Sequence, residues 1–255
     1  MPPPKPRRGK NPCRQPVSNH AALTDILFVL KMGLRWRDLP AEMGSGSGVT
    51  CWRRLRDWQA AGVGDRLHEL LLAKLRAADQ IDLSRAAVDS LSIRAVGAGP
   101  KTAPDPTDRA RPGSKYHIVT DANGTPLAAI RTGANVHDVT QLLPLIDAIP
   151  PIRGLRGHSL QRSRVVYADR GYHSERHRRA LRDRRIEPVI AKRRTQHGSG
   201  LGKYRWVVEC THAWLHHFRR LRIRFERRAD IHGAFLKLGW CLICWNTLRR
   251  AEQPL

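Results

Sequence analysis

Three acidic residues stand at positions where a carboxylate could bind a cation. Asp89 lies inside the short apolar run A-A-V-D-S, Asp169 ends the apolar run V-V-Y-A-D, and Glu209 lies within R-W-V-V-E-C. Two of them have a simpler interpretation, because Asp169 can end a strand before a glycine turn and Glu209 can form salt bridges along a helix. Held together on rigid elements, the three could bind a pair of divalent cations, the arrangement that catalyses phosphodiester hydrolysis.

The rest of the chain is strongly basic, which favours a polyanionic partner. The 255 residues include 46 Lys and Arg against 22 Asp and Glu, so the formal net charge is +24. Such an excess repels itself unless a polyanion offsets it, and nucleic acid releases counterions when Lys and Arg neutralise its phosphates. An arginine-rich coding bias is the alternative, but bias alone does not explain so few acids. We therefore expect binding to nucleic acid.

Composition also argues against several classes of protein. No apolar run is long enough to span a membrane, and the Pro-rich, basic start M-P-P-P-K-P-R-R-G-K lacks the apolar stretch of a secretory signal. The five cysteines are odd in number and scattered, which is typical of reduced thiols rather than of a disulfide framework. We expect a cytoplasmic protein without a membrane partner, in which residues 1–16 form a basic arm.

Residues 17–80 predict a small helical domain. Apolar residues recur every three or four positions from Asn19, a second helix capped by Thr50 carries C-W-R-R-L-R-D-W-Q, and a third covers about 65–77. Three short helices with a basic middle one are typical of a helix-turn-helix DNA-binding unit. We expect Arg53, Arg54 and Arg56 to contact DNA, although a plain helical bundle with solvated arginines has the same pattern.

From residue 85 to about 250 the pattern is that of an α/β domain. Strands are expected at 85–94, in a hairpin over 115–132 with the turn D-A-N-G, at 164–169 and at 187–191. Helices are expected at 139–149, at 174–184 and from about residue 204. This order predicts a mixed sheet flanked by helices. Glu209 would lie at the centre of the polar face of the last helix, surrounded by four bases: Arg205, His212, His216 and Arg220.

Several stretches together resemble the DDE transposases of bacterial insertion sequences, in the insertion-sequence-five group. They are V-D-S, P-D-P-T-D-R-A-R-P-G-S-K-Y-H, T-G-A-N-V-H-D, Y-A-D-R-G-Y and R-W-V-V-E-C-T-H-A-W-L-H-H-F-R-R-L, together with I-L-F-V-L-K-M-G-L-R-W-R-D-L-P near the N-terminus. The similarity extends from about residue 20 to 250. It implies a ribonuclease H-like catalytic domain after the helical one, and it carries the catalytic, metal-binding triad onto Asp89, Asp169 and Glu209.

The resemblance implies a bacterial, nucleoid-associated, Mg²⁺-dependent DNA transposase, with Mn²⁺ able to substitute. Such an enzyme cuts the ends of its element and joins the freed 3′-hydroxyl to target DNA. The expected partners are terminal inverted repeats, target DNA and a second copy of the chain, in a homodimer or larger assembly at the element ends. Four residues are expected to hold phosphates near the cut: Arg205, His216, Arg219 and Arg220.

The last motif departs from the pattern of the group at three positions. Gly202, Cys210 and His216 stand where Tyr, Arg and Lys or Arg are usual. A DNA-binding relic or regulator that no longer cuts is therefore a second hypothesis, and a ribonuclease H-like nuclease that cuts without joining is a third. Four other acids have the sequence context of turns or caps and are left outside the site: Asp105, Asp108, Asp121 and Asp138.

Overall fold

The computed structural model describes residues 17–44, 46–193 and 200–252, so the basic arm expected over residues 1–16 lies outside it. The helices in these ranges are α1 (Asn19–Met32), α2 (Gly48–Ala60), α3 (Val63–Ala77), α4 (Asp138–Asp147), α5 (Glu175–Asp183), α6 (Gly202–His217), α7 (Arg219–Arg222) and α8 (Ala229–Glu252). The strands are β1 (Arg85–Arg94), β2 (Ala103–Pro104), β3 (Pro112–Thr120), β4 (Pro126–Gly133), β5 (Val165–Ala168) and β6 (Glu187–Ile190).

Serine side chains begin the first two helices. The Oγ of Ser18 accepts a hydrogen bond from the backbone N–H of Ala21 at 3.1 Å, and the Oγ of Ser47 accepts one from the N–H of Thr50 at 3.3 Å. Ser47 is therefore the N-cap of α2, and the prediction that Thr50 has this role is wrong because the helix already begins at Gly48.

The strands form one mixed sheet with β1 at its centre. Strand β1 pairs antiparallel with β3 and parallel with β5, while β6 extends the sheet parallel to β5. On the other side, β4 and the short β2 both pair antiparallel with β3. The main order β4–β3–β1–β5–β6, with these directions, is that of a ribonuclease H-like sheet. The predicted fold class is confirmed.

Most strands and helices lie within a few residues of their predicted positions, and the largest difference is at the last predicted helix. Helix α6 ends at His217, because Phe218 has an extended backbone with φ −81° and ψ 101°. Residues 219–222 form the separate short helix α7. Arg220 therefore does not lie on the polar face of the helix that carries Glu209, which corrects the prediction for this residue.

Two hydrophobic clusters cover the two faces of the sheet, and both include the N-terminal helices. Leu72 and Leu75 of α3 belong to the cluster that contains Val88. Ile26 of α1 and Leu55 of α2 belong to the other cluster, with residues of β1, β3 and α6. The helices of residues 17–80 thus share both cores with the sheet, while their role as a DNA-binding domain stays a prediction.

The hydropathy of the helices argues against membrane insertion of the described part of the chain. Over residues 17–44, 46–193 and 200–252, no helix combines the length and the apolar character needed to cross a bilayer.

Candidate active site

Strand pairing brings Asp89 and Asp169 to the same place on the sheet. Ala87 of β1 pairs with Tyr167 of β5 in parallel register. Side chains alternate between the faces of a strand, so this register, continued by two positions, puts Asp89 and Asp169 on one face, and the charge of Asp169 acts on Asp89. Strand β5 ends at Ala168, and Asp169 is the first residue beyond it.

A tight turn fixes the carboxylate of Asp169. Its Oδ1 accepts a hydrogen bond from the backbone N–H of Gly171 at 2.8 Å and caps the 3₁₀ turn Arg170–Tyr172. A Cβ at position 171 would lie 3.0 Å from the same oxygen, so glycine lets the turn close this tightly. The motif Y-A-D-R-G-Y therefore orients Asp169 through one of its two carboxylate oxygens.

Burial and charged neighbours perturb the carboxylate of Asp89. Its side chain is 20% exposed, and its Oδ1 lies 3.3 Å from a guanidinium nitrogen of Arg205. Burial raises the pKa of Asp89 to about 6; Arg205 opposes this shift, while Asp169 and Glu209 add to it. A carboxylate beside two other acids is a place where a divalent cation would relieve repulsion.

His212 also lies at Asp89, with its Nε2 3.8 Å from the carboxylate Oδ2. Burial lowers the pKa of His212 to about 4, so the ring is neutral near pH 7 and Arg205 is the cation that faces Asp89. Since His212 is buried, the prediction that it lies on the exposed polar face of the helix is wrong.

Helix α6 carries Glu209 across the sheet. Val207 and Val208 pack into the hydrophobic cluster on this face, and Tyr204 stacks on Tyr167 of β5 with ring centroids 4.6 Å apart. Glu209 lies on the exposed side of the helix, close enough to Asp89 to raise its pKa. In the ranges 17–44, 46–193 and 200–252, no three His, Cys, Asp or Glu side chains are arranged closely enough to hold a metal ion.

The donor set nevertheless suits one kind of cation. Asp89, Asp169 and Glu209 offer carboxylate oxygens, which Mg²⁺ and Mn²⁺ prefer, and the imidazole of His212 lies beside Asp89. The residues therefore fit a hard divalent cation by their chemistry, with Asp89 and Asp169 facing each other and Glu209 at the rim.

The residues predicted to hold phosphates lie in different environments. Arg219 is exposed at the start of α7, His216 is half-buried near the end of α6, and Arg205 pairs with Asp89. Arg220 is buried, and its Nε donates to Glu226 at 2.7 Å. Its guanidinium thus binds within the protein, and we leave it out of the proposed phosphate contacts.

The three arginines predicted on α2 also differ. Arg53 is exposed. Arg54 donates hydrogen bonds to the Asn19 side chain at 2.9 Å and to a backbone carbonyl at 3.1 Å, so it joins α2 to the start of α1. Arg56 forms an ion pair with Asp57 at 2.7 Å. The predicted contact of these residues with DNA stays a prediction.

Four residues near Asp169 are absent from the predicted site. They are Lys115 and His117 of β3, Asp138 at the start of α4, and Tyr172 in the turn after Asp169. The Nζ of Lys115 donates to Asp138 Oδ1 at 3.0 Å. The alternating polar residues of K-Y-H on an otherwise buried strand are the sequence signal that could have indicated them.

Comparison with known proteins gives matches over most of the chain. Residues 81–246 match the family described as "Transposase DDE domain", and residues 1–68 match "Putative transposase of IS4/5 family". The chain is 91% identical over 156 residues to the "Putative transposase for insertion sequence element IS402" of Burkholderia cepacia, covering 61% of this chain and 74% of that protein.

Two further relatives are similar over shorter parts. The "Insertion element IS402 uncharacterized 16.2 kDa protein" of Burkholderia cepacia is 85% identical over 106 residues, covering 42% of this chain and 72% of that protein. Among solved structures, the Mos1 strand transfer complex aligns distantly, with 14% identity, a TM-score of 0.37 and coverage of 97% of this chain and 78% of that one. Since the first family match spans well over half of the 255 residues and includes Asp89, Asp169 and Glu209, the chain belongs to the DDE transposase family.

Proposed function

We propose that this chain cuts DNA at the ends of an insertion sequence and joins the freed 3′ ends to target DNA, with Mg²⁺ or Mn²⁺ held by Asp89, Asp169 and Glu209. The observation that supports the proposal is the parallel pairing of Ala87 with Tyr167, two residues before Asp89 and Asp169, together with the effect of Asp169 and Glu209 on the pKa of Asp89. Membership of the DDE transposase family supports the reaction class.

Each carboxylate has a defined part in this proposal. Asp169 is oriented by its hydrogen bond from Gly171, and Asp89 is held in a partly buried position beside it. Glu209 closes the exposed side. A divalent cation bound there supplies positive charge that stabilises the developing charge of phosphoryl transfer.

The bases around the carboxylates would bind the DNA backbone. Arg205 and Arg219 can pair with phosphates, and His216 lies between them along the chain; Arg53 on α2 is exposed for a further contact. Arg205 would exchange Asp89 for a phosphate when DNA is bound. The net charge of +24 supports DNA as a polyanionic partner.

We further propose that two copies of the chain assemble at the paired ends of the insertion sequence. Light scattering of the protein with and without terminal-repeat DNA would measure this assembly.

Asp169→Asn tests the proposed chemistry. We expect cleavage of terminal-repeat DNA in Mg²⁺ to fall at least about a hundredfold, because replacing even a group that only supports a metal ligand costs about 10–100-fold. Asp183→Asn, which changes an exposed aspartate at the end of α5, is the matched control and should cut normally. Cleavage at the wild-type rate by the Asp169→Asn protein would overturn the assignment.

A relic that binds DNA without cutting it is the second candidate. It is favoured by the ion pair between Arg205 and Asp89 and by the departures at Gly202, Cys210 and His216. Wild-type protein that binds element ends with a steep salt dependence, yet cuts in neither Mg²⁺ nor Mn²⁺, would support it. Cutting without strand joining would instead indicate a nuclease.

A further inference from the structure

A polar cluster, which we call the Asp138 cluster, lies beside the turn that carries Asp169. It consists of Lys115, His117, Asp138 and Tyr172. Lys115 Nζ donates to Asp138 Oδ1 at 3.0 Å and to the backbone carbonyl of Val136 at 2.9 Å. His117 Nδ1 lies 3.7 Å from the same Oδ1. Strand β3 therefore holds one oxygen of Asp138 in place.

The other oxygen of Asp138 faces the Asp169 turn. A Cβ on Gly171 would lie 3.5 Å from Asp138 Oδ2 and 3.0 Å from Asp169 Oδ1. Asp138 and Asp169 thus pack against Gly171 together. A change in the position of Asp138 would be transmitted to the turn and, through the Gly171 N–H, to the carboxylate of Asp169.

Tyr172 joins this cluster to both aspartates of the sheet. The residue is 1% exposed, and its hydroxyl makes no hydrogen bond among the described residues although Ser90 lies near it. Burial raises the pKa of Tyr172 well above its usual value, and the charges of Asp138, Asp89 and Asp169 add to the shift.

Helix capping alone does not account for Asp138. An acid in the first turn of a helix is favourable because of the helix dipole, but it gives that benefit while exposed to solvent. Here the side chains of Lys115 and Asp138 are only 14% and 26% exposed, so the pair costs desolvation. A cost of this kind beside a catalytic carboxylate suggests a role in the site.

We propose that Asp138 is a positioning residue for Asp169. Fixed by Lys115, it packs against Gly171 and holds the Asp169 turn in the orientation that faces Asp89. The inference rests on the proposed function, since it concerns the cation site of Asp89 and Asp169.

The test measures Mn²⁺ binding to the DNA-free protein by the electron paramagnetic resonance signal of free Mn²⁺. We expect Asp138→Ala to weaken binding about tenfold, as is typical for a residue that supports a metal ligand. Asp138→Asn should restore most of the affinity, because its amide oxygen can still accept the hydrogen bond from Lys115. Asp147→Asn, at the other end of α4, is the matched control and should bind Mn²⁺ normally.

Combining Asp138→Ala with Asp169→Asn separates this inference from the proposed function. If Asp138 acts through Asp169, Asp138→Ala has no further effect once Asp169 is replaced. Loss of affinity with Asp169→Asn but not with Asp138→Ala would overturn the inference alone. The inference would also be overturned if Asp138→Ala lowered the Mn²⁺ affinity of the Asp169→Asn protein as much as it lowers that of the wild type. The same holds if Asp138→Ala and Asp138→Asn lose equal Mn²⁺ affinity and both have a lower Tm. Unchanged affinity in Asp169→Asn would contradict the proposed cation site itself.

Discussion

Asp89 and Arg205 form an ion pair at the proposed cation site. The guanidinium lies 3.3 Å from Asp89 Oδ1, and neither side chain is more than 20% exposed. An arginine at this distance neutralises the charge that would attract a divalent ion. The same arginine is proposed to bind a phosphate, so DNA and cation binding are expected to favour each other.

We expect Arg205→Gln to increase the affinity of the DNA-free protein for Mn²⁺ about fivefold, the equivalent of about 1 kcal/mol for an ion pair of ordinary strength. Cleavage should decrease at the same time, because a proposed phosphate contact is lost. Titration with Mn²⁺ at pH 8 measures the first effect and gel assays of cut DNA the second. Arg219→Gln, on the exposed start of α7, is the control for the Mn²⁺ titration alone, and its affinity for Mn²⁺ should stay at the wild-type value because Arg205 is the arginine paired with Asp89. An affinity equal to or below that of the wild type would show that Arg205 does not compete with the cation.

At the residue scale the sequence predicts where Asp89 and Asp169 lie, because an acid within or just after an apolar strand is visible as a pattern, while their binding of a cation stays a prediction. It does not predict Asp138. The context of that residue is that of a helix start, and its contact with Lys115 exists only because the sheet brings β3 beside α4. Its contact with Gly171 needs the same tertiary arrangement.

At the scale of elements, a buried ionic network joins α7 to α8 and to the end of α1. Arg220 of α7 donates to Glu226 at 2.7 Å and to the backbone carbonyl of Leu34 at 3.0 Å. The second carboxylate oxygen of Glu226 lies 3.3 Å from His232 of α8, whose other nitrogen is hydrogen-bonded to the hydroxyl of Tyr116. Burial opposes ionisation of Glu226, but His232 and Arg220 outweigh it and hold the pKa of this acid below its usual value.

Glu226→Ala should lower the free energy of unfolding by about 3–5 kcal/mol, because it leaves the buried guanidinium of Arg220 without a counter-charge. Asp230→Ala removes one partner of a solvent-accessible ion pair with Arg228 and should cost less than about 1 kcal/mol. Urea unfolding of both variants makes the comparison. Equal losses would show that the network contributes no more than a surface pair.

The sequence predicts most strand and helix positions, yet it misses the break between α6 and α7. Apolar spacing continues through Phe218 and Leu221 as though one helix continued, so a helical wheel places Arg220 on the wrong face. Tertiary packing sets the extended backbone at Phe218, since the side chains of Phe218 and Leu221 are both buried in the core. Periodicity reports which residues are apolar but not where the backbone changes direction.

At the scale of the whole molecule, the N-terminal helices and the sheet are expected to unfold together, because they share two hydrophobic clusters. The sequence does not predict this, since the apolar face of a helix does not identify what it packs against. His68 of α3 shows the consequence: it is 3% exposed, and its Nε2 lies 2.8 Å from the carbonyl of Pro126 at the start of β4.

Acid should destabilise the protein partly through His68. Burial, and then Lys237, lower the pKa of His68 to about 4. In the unfolded chain His68 is protonated below about pH 6.5, whereas in the folded chain it stays neutral down to about pH 4. The contribution of His68 to the free energy of unfolding is therefore complete above pH 6.5 and is lost as the pH falls towards 4. The slope is at most about 1.4 kcal/mol per pH unit.

Between pH 6.5 and 4, we expect His68→Gln to reduce the slope of the unfolding free energy against pH by the amount that corresponds to about one proton. Replacing the exposed His158 with Gln should leave this slope unchanged. Urea unfolding at several pH values measures it. The buried His117, with its pKa lowered by burial to about 4, contributes in the same direction, so the variant should retain part of the slope. A slope identical to that of the wild type would contradict the prediction for His68.

Because β1 and β5 pair directly, the relative position of Asp89 and Asp169 does not depend on the number of residues between the two strands. Asp89 and Asp169 each lie two residues beyond the paired Ala87 and Tyr167, whatever number of residues connects the strands. The loop over 153–159 could therefore gain or lose residues without moving either carboxylate. One residue inserted within Val165–Ala168 would instead turn Asp169 to the opposite face of the sheet. Related chains of this family can therefore differ in length between β1 and β5, but not within these strands.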